Sequence, residues 1–80
     1  MNTREAVTDR IIELCEKKRW AHNALATYSG IPSSTLKNII NGKSTNPGIV
    51  TIKKICDGLE ISLADFFDTD LFRSLEQEIK

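Results

Sequence analysis

Over residues 32–41 the side chains able to make specific hydrogen bonds gather on one side of a helical wheel. At about 100° per residue, Leu36, Ile39 and Ile40 fall together, and Ser34, Lys37, Asn38 and Asn41 point the opposite way, with Ser33 at the flank near the helix start. Two hydroxyls, one ammonium and two carboxamides suit the edges of nucleic-acid bases. Asn pairs bidentately with adenine, Lys donates to guanine O6 and N7, and Ser donates or accepts. The same face is also the ordinary solvated side of an amphipathic helix, so two readings stand at this point. Catalysis has far less to work with. There is one histidine, no nucleophile-elbow pattern, no phosphate-binding glycine loop and no carboxylate pair in the central segment, so no catalytic constellation can be assembled and no enzyme is expected. Cys15 and Cys56 lie 41 positions apart, outside any CxxC or HxxxH setting. They read as small buried core residues, with a disulfide or redox pair as the alternative and no metal or cofactor implied.

The formal net charge is zero, but the charges are segregated. Residues 1–16 carry a net −2. Residues 17–56 carry Lys17, Lys18, Arg19, Lys37, Lys43, Lys53 and Lys54 with no acid, a net +7. Residues 57–80 carry Arg73 and Lys80 against seven acids, a net −5. A block of that kind offers phosphates a positive face, and an acidic tail lowers non-specific adhesion. Eighty residues make one domain, and 40% hydrophobic with 28% charged residues is the composition of a folded globular chain. No apolar run approaches the ~20 residues of a membrane span, and the opening MNTREAVTDR lacks a signal-peptide apolar segment. The expected compartment is the cytoplasm, with no membrane partner and no small-molecule ligand evident.

The elements that would hold residues 32–41 in place are all helical. Asn2 and Glu5 form a capping box ahead of Val7, Ile11, Leu14 and Cys15, and Lys17, Lys18 and Arg19 occupy the last turn. Trp20 follows as an apolar anchor. A short second helix carries Ala24, Leu25 and Tyr28 inward and stops at Ser29-Gly30. Ile31-Pro32 restarts a third, which Asn41-Gly42 closes. Two short helices joined by a Gly-containing turn are the sequence form of a helix-turn-helix. After the polar loop 43–48, Ile52, Ile55, Cys56 and Leu59 mark a fourth helix with Thr51 as its cap. Ser62 and Asp65 cap a fifth before Phe66-Phe67. Leu71, Phe72, Leu75 and Ile79 predict a last amphipathic helix, with Arg73, Glu76, Glu78 and Lys80 on its wet side. No strand pattern competes.

Taken together, Leu25-Ala26, Ser29-Gly30-Ile31, Ser34-Thr35-Leu36, Ile39, Asn41-Gly42-Lys43, Asn46-Pro47, Thr51-Ile52, Lys54-Ile55, Leu59, Ile61-Ser62-Leu63 and Phe66-Phe67 resemble the DNA-binding domain of phage repressors and Cro proteins, the Xre-type helix-turn-helix. The resemblance runs from Arg10 to Phe67. It implies an all-α fold, a compact five-helix repressor-like bundle over residues 1–68, with helices 2 and 3 as the reading unit. Residues 69–80 would add the short C-terminal helix, as a cap or a dimer contact. It further implies a sequence-specific regulator of transcription, a repressor by expectation. Such a protein reads the major groove of double-stranded DNA with Pro32–Asn41, as a homodimer on a palindromic operator whose half-sites lie about one helical turn apart. By the family's register, Ser33, Ser34 and Asn38 fall at base-contacting positions, and Lys37 reaches a base or a phosphate. His22, at the start of helix 2, falls where related domains bond a phosphate. Lys43, Thr45 and Asn46 would meet the sugar-phosphate backbone. Asn41 either joins them or only ends the helix.

Two departures stand out. Ala21 takes the place of the usual Ser or Thr cap on helix 2, worth about 1 kcal/mol. Glu60 takes the place of the glycine that ends helix 4, so that the turn is either strained or different. Trp20, Tyr28, Phe66 and Phe67 fall on apolar positions rather than in a stacking array, which argues against single-strand binding. The competing reading is a protein-interaction module, or an antitoxin component, on the same fold.

Overall fold

The computed structural model describes residues 1–79; Lys80, assigned above to the wet side of the last helix, lies outside them. Five α-helices follow in order: α1 (Thr3–Lys18), α2 (His22–Ser29), α3 (Ser33–Ile40), α4 (Ile49–Leu59) and α5 (Leu63–Phe67), then a single 3-10 turn at Asp70–Phe72. No strand occurs among the described residues. The expected all-α bundle with a helix-turn-helix at α2–α3 is what forms. Its core is Val7, Ile11 and Cys15 of α1, Leu25 and Ala26 of α2, Leu36 and Ile39 of α3, Ile52, Ile55, Cys56 and Leu59 of α4, and Phe66 of α5. Both cysteines are buried free thiols, and burial pushes both thiols above their usual pKa.

Local chemistry explains most boundaries. The Asn2 side chain accepts from the Glu5 N–H at 2.8 Å, and the Glu5 carboxylate accepts from the Asn2 N–H at 3.0 Å, the reciprocal capping box. The Ser62 hydroxyl accepts from the Asp65 N–H at 3.0 Å and starts α5. Three helices end alike. Arg19, Gly30 and Glu60 are left-handed, with φ of 58°, 67° and 59°. The next residue, Trp20, Ile31 or Ile61, donates its N–H to a carbonyl five positions back at 3.0–3.1 Å and packs against the core. Only one of the three left-handed residues is glycine. At Glu60 the turn keeps the glycine geometry and accepts the strain.

Arg10 is buried. Its Nε–H donates to the Phe66 carbonyl at 2.8 Å and an Nη2 hydrogen to the Asp65 carbonyl at 2.9 Å, while Nη1 pairs with Glu13. The guanidinium thus satisfies carbonyls in the last turn of α5 and ties that helix to α1. Helices α2 and α4 approach closely at Gly58 and Ser29. A Cβ at Gly58 would stand 2.5 Å from Ser29 Oγ, 2.9 Å from the Ser29 nitrogen and 3.0 Å from the Tyr28 carbonyl carbon. Only a residue without a side chain lets the two backbones meet there.

Four expectations need correction. Helix α4 begins two residues before Thr51, with Gly48 at its N-cap. The buried face of α2 is Leu25, Ala26 and Ser29 rather than Ala24, Leu25 and Tyr28. Tyr28 is 64% exposed and stacks on Trp20, centroids 4.7 Å apart, with the Lys18 ammonium 5.1 Å over the indole. Two of the aromatics therefore do form a stack, against each other at the surface. The last amphipathic helix is absent beyond the 3-10 turn. Phe72 is drawn onto Phe66 and Phe67 at 6.1 and 4.9 Å, Arg73 binds back to Asp68 and Asp70, and the Glu76 N–H donates to the Met1 carbonyl at 3.2 Å. These tertiary bonds outweigh a short isolated helix, which is marginal in water. Phe72 caps the core; Ile79, on the same expected stripe, is 87% exposed.

Gly58→Ala should lower the unfolding free energy by about 1–3 kcal/mol. Adding Ser29→Ala should restore only part of it, since backbone atoms remain in the way; denaturant titration measures both. Glu60→Gly should raise stability by about 0.5–1 kcal/mol, the relief of a left-handed non-glycine residue less the entropy of glycine in the unfolded chain. A fall in the midpoint would show that Glu60 contributes more than its backbone.

Candidate nucleic-acid interface

Helix α3 rests its apolar side, Leu36 and Ile39 fully and Ile40 partly, on the core. Ser33, Ser34, Lys37 and Asn38, the four residues expected to contact bases, are all exposed, as is Asn41 at the helix end. Pro32 is its N-cap, with φ −61° and ψ 143°. No side chain caps either α2 or α3, so the first-turn N–H groups of both helices have no side-chain acceptor. Together the two helix starts line a shallow cleft of about 580 Å3. Its walls are His22, Asn23, Ser33, Ser34, Lys37 and Asn41, over a floor of Leu36 and Ile40. Two N-terminal turns without side-chain caps, hydroxyls and one ammonium make a surface complementary to anions and polar edges.

Each end of α3 is fixed differently. At its start the Gly30-Ile31-Pro32 turn sets the exit from α2. At its end the Thr8 hydroxyl of α1 donates to the Ile39 carbonyl at 3.0 Å. The Ser44 N–H donates to the Asn38 carbonyl at 2.9 Å. Asn41 accepts the Lys43 N–H on its Oδ1 at 3.1 Å, so its side chain oxygen is committed to ending the helix and turning the loop. The Thr8 contact was invisible to sequence inspection, because a threonine between apolar positions carries no sign of the carbonyl it meets.

The remaining expected residues separate from this cleft. Asn38 and Lys43 are exposed but line neither cavity. Thr45 and Asn46 lie on a second hollow of about 710 Å3, bordered by Arg4 of α1 and by Glu76 and Glu78 of the tail. The cations of the +7 stretch are also divided. Lys18 lies over Trp20 and Lys53 pairs with Asp57, whereas Lys37 belongs to the α3 face. Among the described residues, no group of three or more His, Cys, Asp or Glu could hold a metal ion, and no helix is long and apolar enough to cross a membrane.

With this geometry in place, the relatives are informative. The Cro/C1-type HTH DNA-binding domain family matches residues 10–70, and the chain belongs to that family, a DNA-binding one and not a family of enzymes. It is similar to the HTH-type transcriptional regulator SlrR of Bacillus subtilis (strain 168), 39% identical over 62 residues, which covers 76% of this chain and 41% of that protein. It is also similar to the HTH-type transcriptional repressor RghR of the same strain, 37% identical over 57 residues, covering 71% of this chain and 42% of RghR. The chain thus spans about two fifths of the length of these curated relatives. The crystal structure of the prophage Lp1 protein 11 superposes with a TM-score of 0.80 at 36% identity, covering 94% of this chain and all of that one.

Thr8→Val should leave the Ile39 carbonyl without its side-chain donor and cost about 1–2 kcal/mol, with amide exchange accelerated in the last turn of α3. Thr8→Ser should preserve both. Unchanged exchange in Thr8→Val would remove the hydroxyl from the account of how α3 is held.

Proposed function

We propose that this chain is a sequence-specific double-stranded DNA-binding module of a cytoplasmic transcriptional regulator, acting as a repressor, with α3 reading the major groove. The observation that carries the reading is the exposed side of α3. The side chains of Ser33, Ser34, Lys37 and Asn38 are exposed and, among the described residues, make no hydrogen bond, on a chain whose family is defined by DNA binding. An α-helix with its side chains is about 10–12 Å across, which matches the ~12 Å width of the groove, and α3 offers two turns of it. Asn38 is assigned to an adenine edge, Lys37 to guanine or a phosphate, and the two serines to adjoining edges. His22, at the open start of α2, is assigned to a phosphate, as are Lys43, Thr45 and Asn46 beyond α3. Asn41, with its oxygen already taken, contributes through its NH2 group.

Four side chains give one reading helix few base contacts. Two copies on a palindromic operator double them, and a homodimer is therefore part of the proposal. RghR carries the name of a repressor, which supports the same direction of control here. A protein-interaction module on this fold is the second reading. It draws on the zero net charge and on the adjacent exposed pair Ile49 and Val50 at the start of α4.

Selection from a random duplex library decides between them. The expected result is a short palindromic site bound with steep salt dependence, with about 1–3 kcal/mol lost in Asn38→Ala together with relaxed preference at one base pair. An absence of enrichment, with weak binding erased by salt, would sink the DNA reading and turn the search to protein partners.

A further inference from the structure

Arg4 comes from the acidic N-terminal block, and nothing in the sequence sets it apart. The fold places it beside the loop that leaves α3. Helix α1 crosses the C-terminal end of α3, as the Thr8 bond to Ile39 records. Arg4 lies one turn earlier on the same side of α1, and its guanidinium lies against Gly42. A Cβ on Gly42 would stand 2.9 Å from Arg4 Nη1. Gly42 also has φ +83°, a left-handed backbone that favours glycine there. Among the described residues Arg4 has no carboxylate within ion-pair distance and no hydrogen-bonded side-chain partner. It shares a hollow with the Thr45 hydroxyl and the Asn46 carboxamide. Glu76 and Glu78 also line the hollow, and the Glu76 carboxylate lies 3.2 Å from the Met1 ammonium.

We propose that Arg4 is a phosphate-contacting residue of the DNA interface, forming with Thr45 and Asn46 a backbone-binding site at the C-terminal end of α3. An unpaired guanidinium flanked by a hydroxyl and a carboxamide is a donor set for a phosphodiester oxygen. The assignment rests on the DNA-binding reading above and extends the interface from the helix-turn-helix onto α1. It also supplies a cation where the +7 stretch supplies few: Lys18 and Lys53 of that stretch are engaged elsewhere. The competing role is structural, with Arg4 serving the negative end of the α3 dipole.

The test compares wild type, Arg4→Ala and Arg4→Lys on the selected duplex and on an unrelated duplex of equal length, across a salt series. Far-UV dichroism and thermal midpoints control for folding. Arg4→Ala is expected to bind both duplexes more weakly by the same factor, and to lower the salt slope by ~0.9, one phosphate contact. Arg4→Lys should keep the slope. Loss of affinity at unchanged slope would assign Arg4 to the support of α3 and overturn the proposal, as would an Arg4→Ala protein indistinguishable from wild type. If wild type itself binds no duplex with a steep slope, the DNA-binding reading fails and this assignment with it. A deficit confined to the variant touches Arg4 alone.

Discussion

The approach of α2 to α4 at Ser29 and Gly58 fixes the frame in which α3 is presented. With backbone atoms of α2 within 3.0 Å of where a Cβ on Gly58 would sit, neither helix can rotate without losing that contact. Ser29 Oγ is buried there without a hydrogen-bond partner, a polar group enclosed because the helices meet so closely. From that fixed α2, the left-handed Gly30 and the Pro32 N-cap set the direction in which α3 departs. Thr8 and Ser44 hold its far end. Helix α3 is thereby pinned at both ends and left free on one side. A surface that recognises base edges needs that arrangement, because side chains must be delivered in a fixed register.

The second constraint is Arg10. A buried guanidinium bonded to two carbonyls of α5 and to Glu13 joins the first helix to the last. Phe72 then closes over Phe66 and Phe67. Because α1 is held in this way, its N-terminal turn stands in a defined place relative to the loop after α3. Arg4 can contribute to the interface only on that condition.

Much of the fold was legible because capping and periodicity act over three or four residues. Asn2 with Glu5, Gly30, Ile31-Pro32 and Ser62 with Asp65 each mark a boundary that local bonds then form. The inward and outward sides of α3 were legible for the same reason, since Leu36 and Ile39 are separated by one turn. What failed depended on distant partners. The burial of Arg10 has no local sign, because the carbonyls it binds lie 55 and 56 positions away. The stripe Leu71, Phe72, Leu75 and Ile79 has helical spacing, but Phe72 and Glu76 find better partners in the aromatic core and at Met1. Tyr28 has apolar spacing too, yet its ring is satisfied by Trp20 at the surface. Thr51 resembles a cap, while Gly48 already supplies the extended residue from which α4 starts. Thr45 and Asn46 follow Lys43 in sequence, but the loop carries them to the hollow beside α1 and the tail.

The central claim is that DNA meets this chain through the free side of α3, presented by a bundle that does not rearrange. A titration of 15N-labelled protein with its selected duplex, followed by amide spectra, tests it most directly. The account predicts shifts concentrated at His22 and Asn23, through Ser33 to Asn38 and across the loop 43–46, with the amides of Ser29, Ile55 and Gly58 unmoved. Shifts centred on Trp20 and Tyr28 or on Ile49 and Val50, with α3 silent, would contradict it, as would a general rearrangement of the α2–α4 contact.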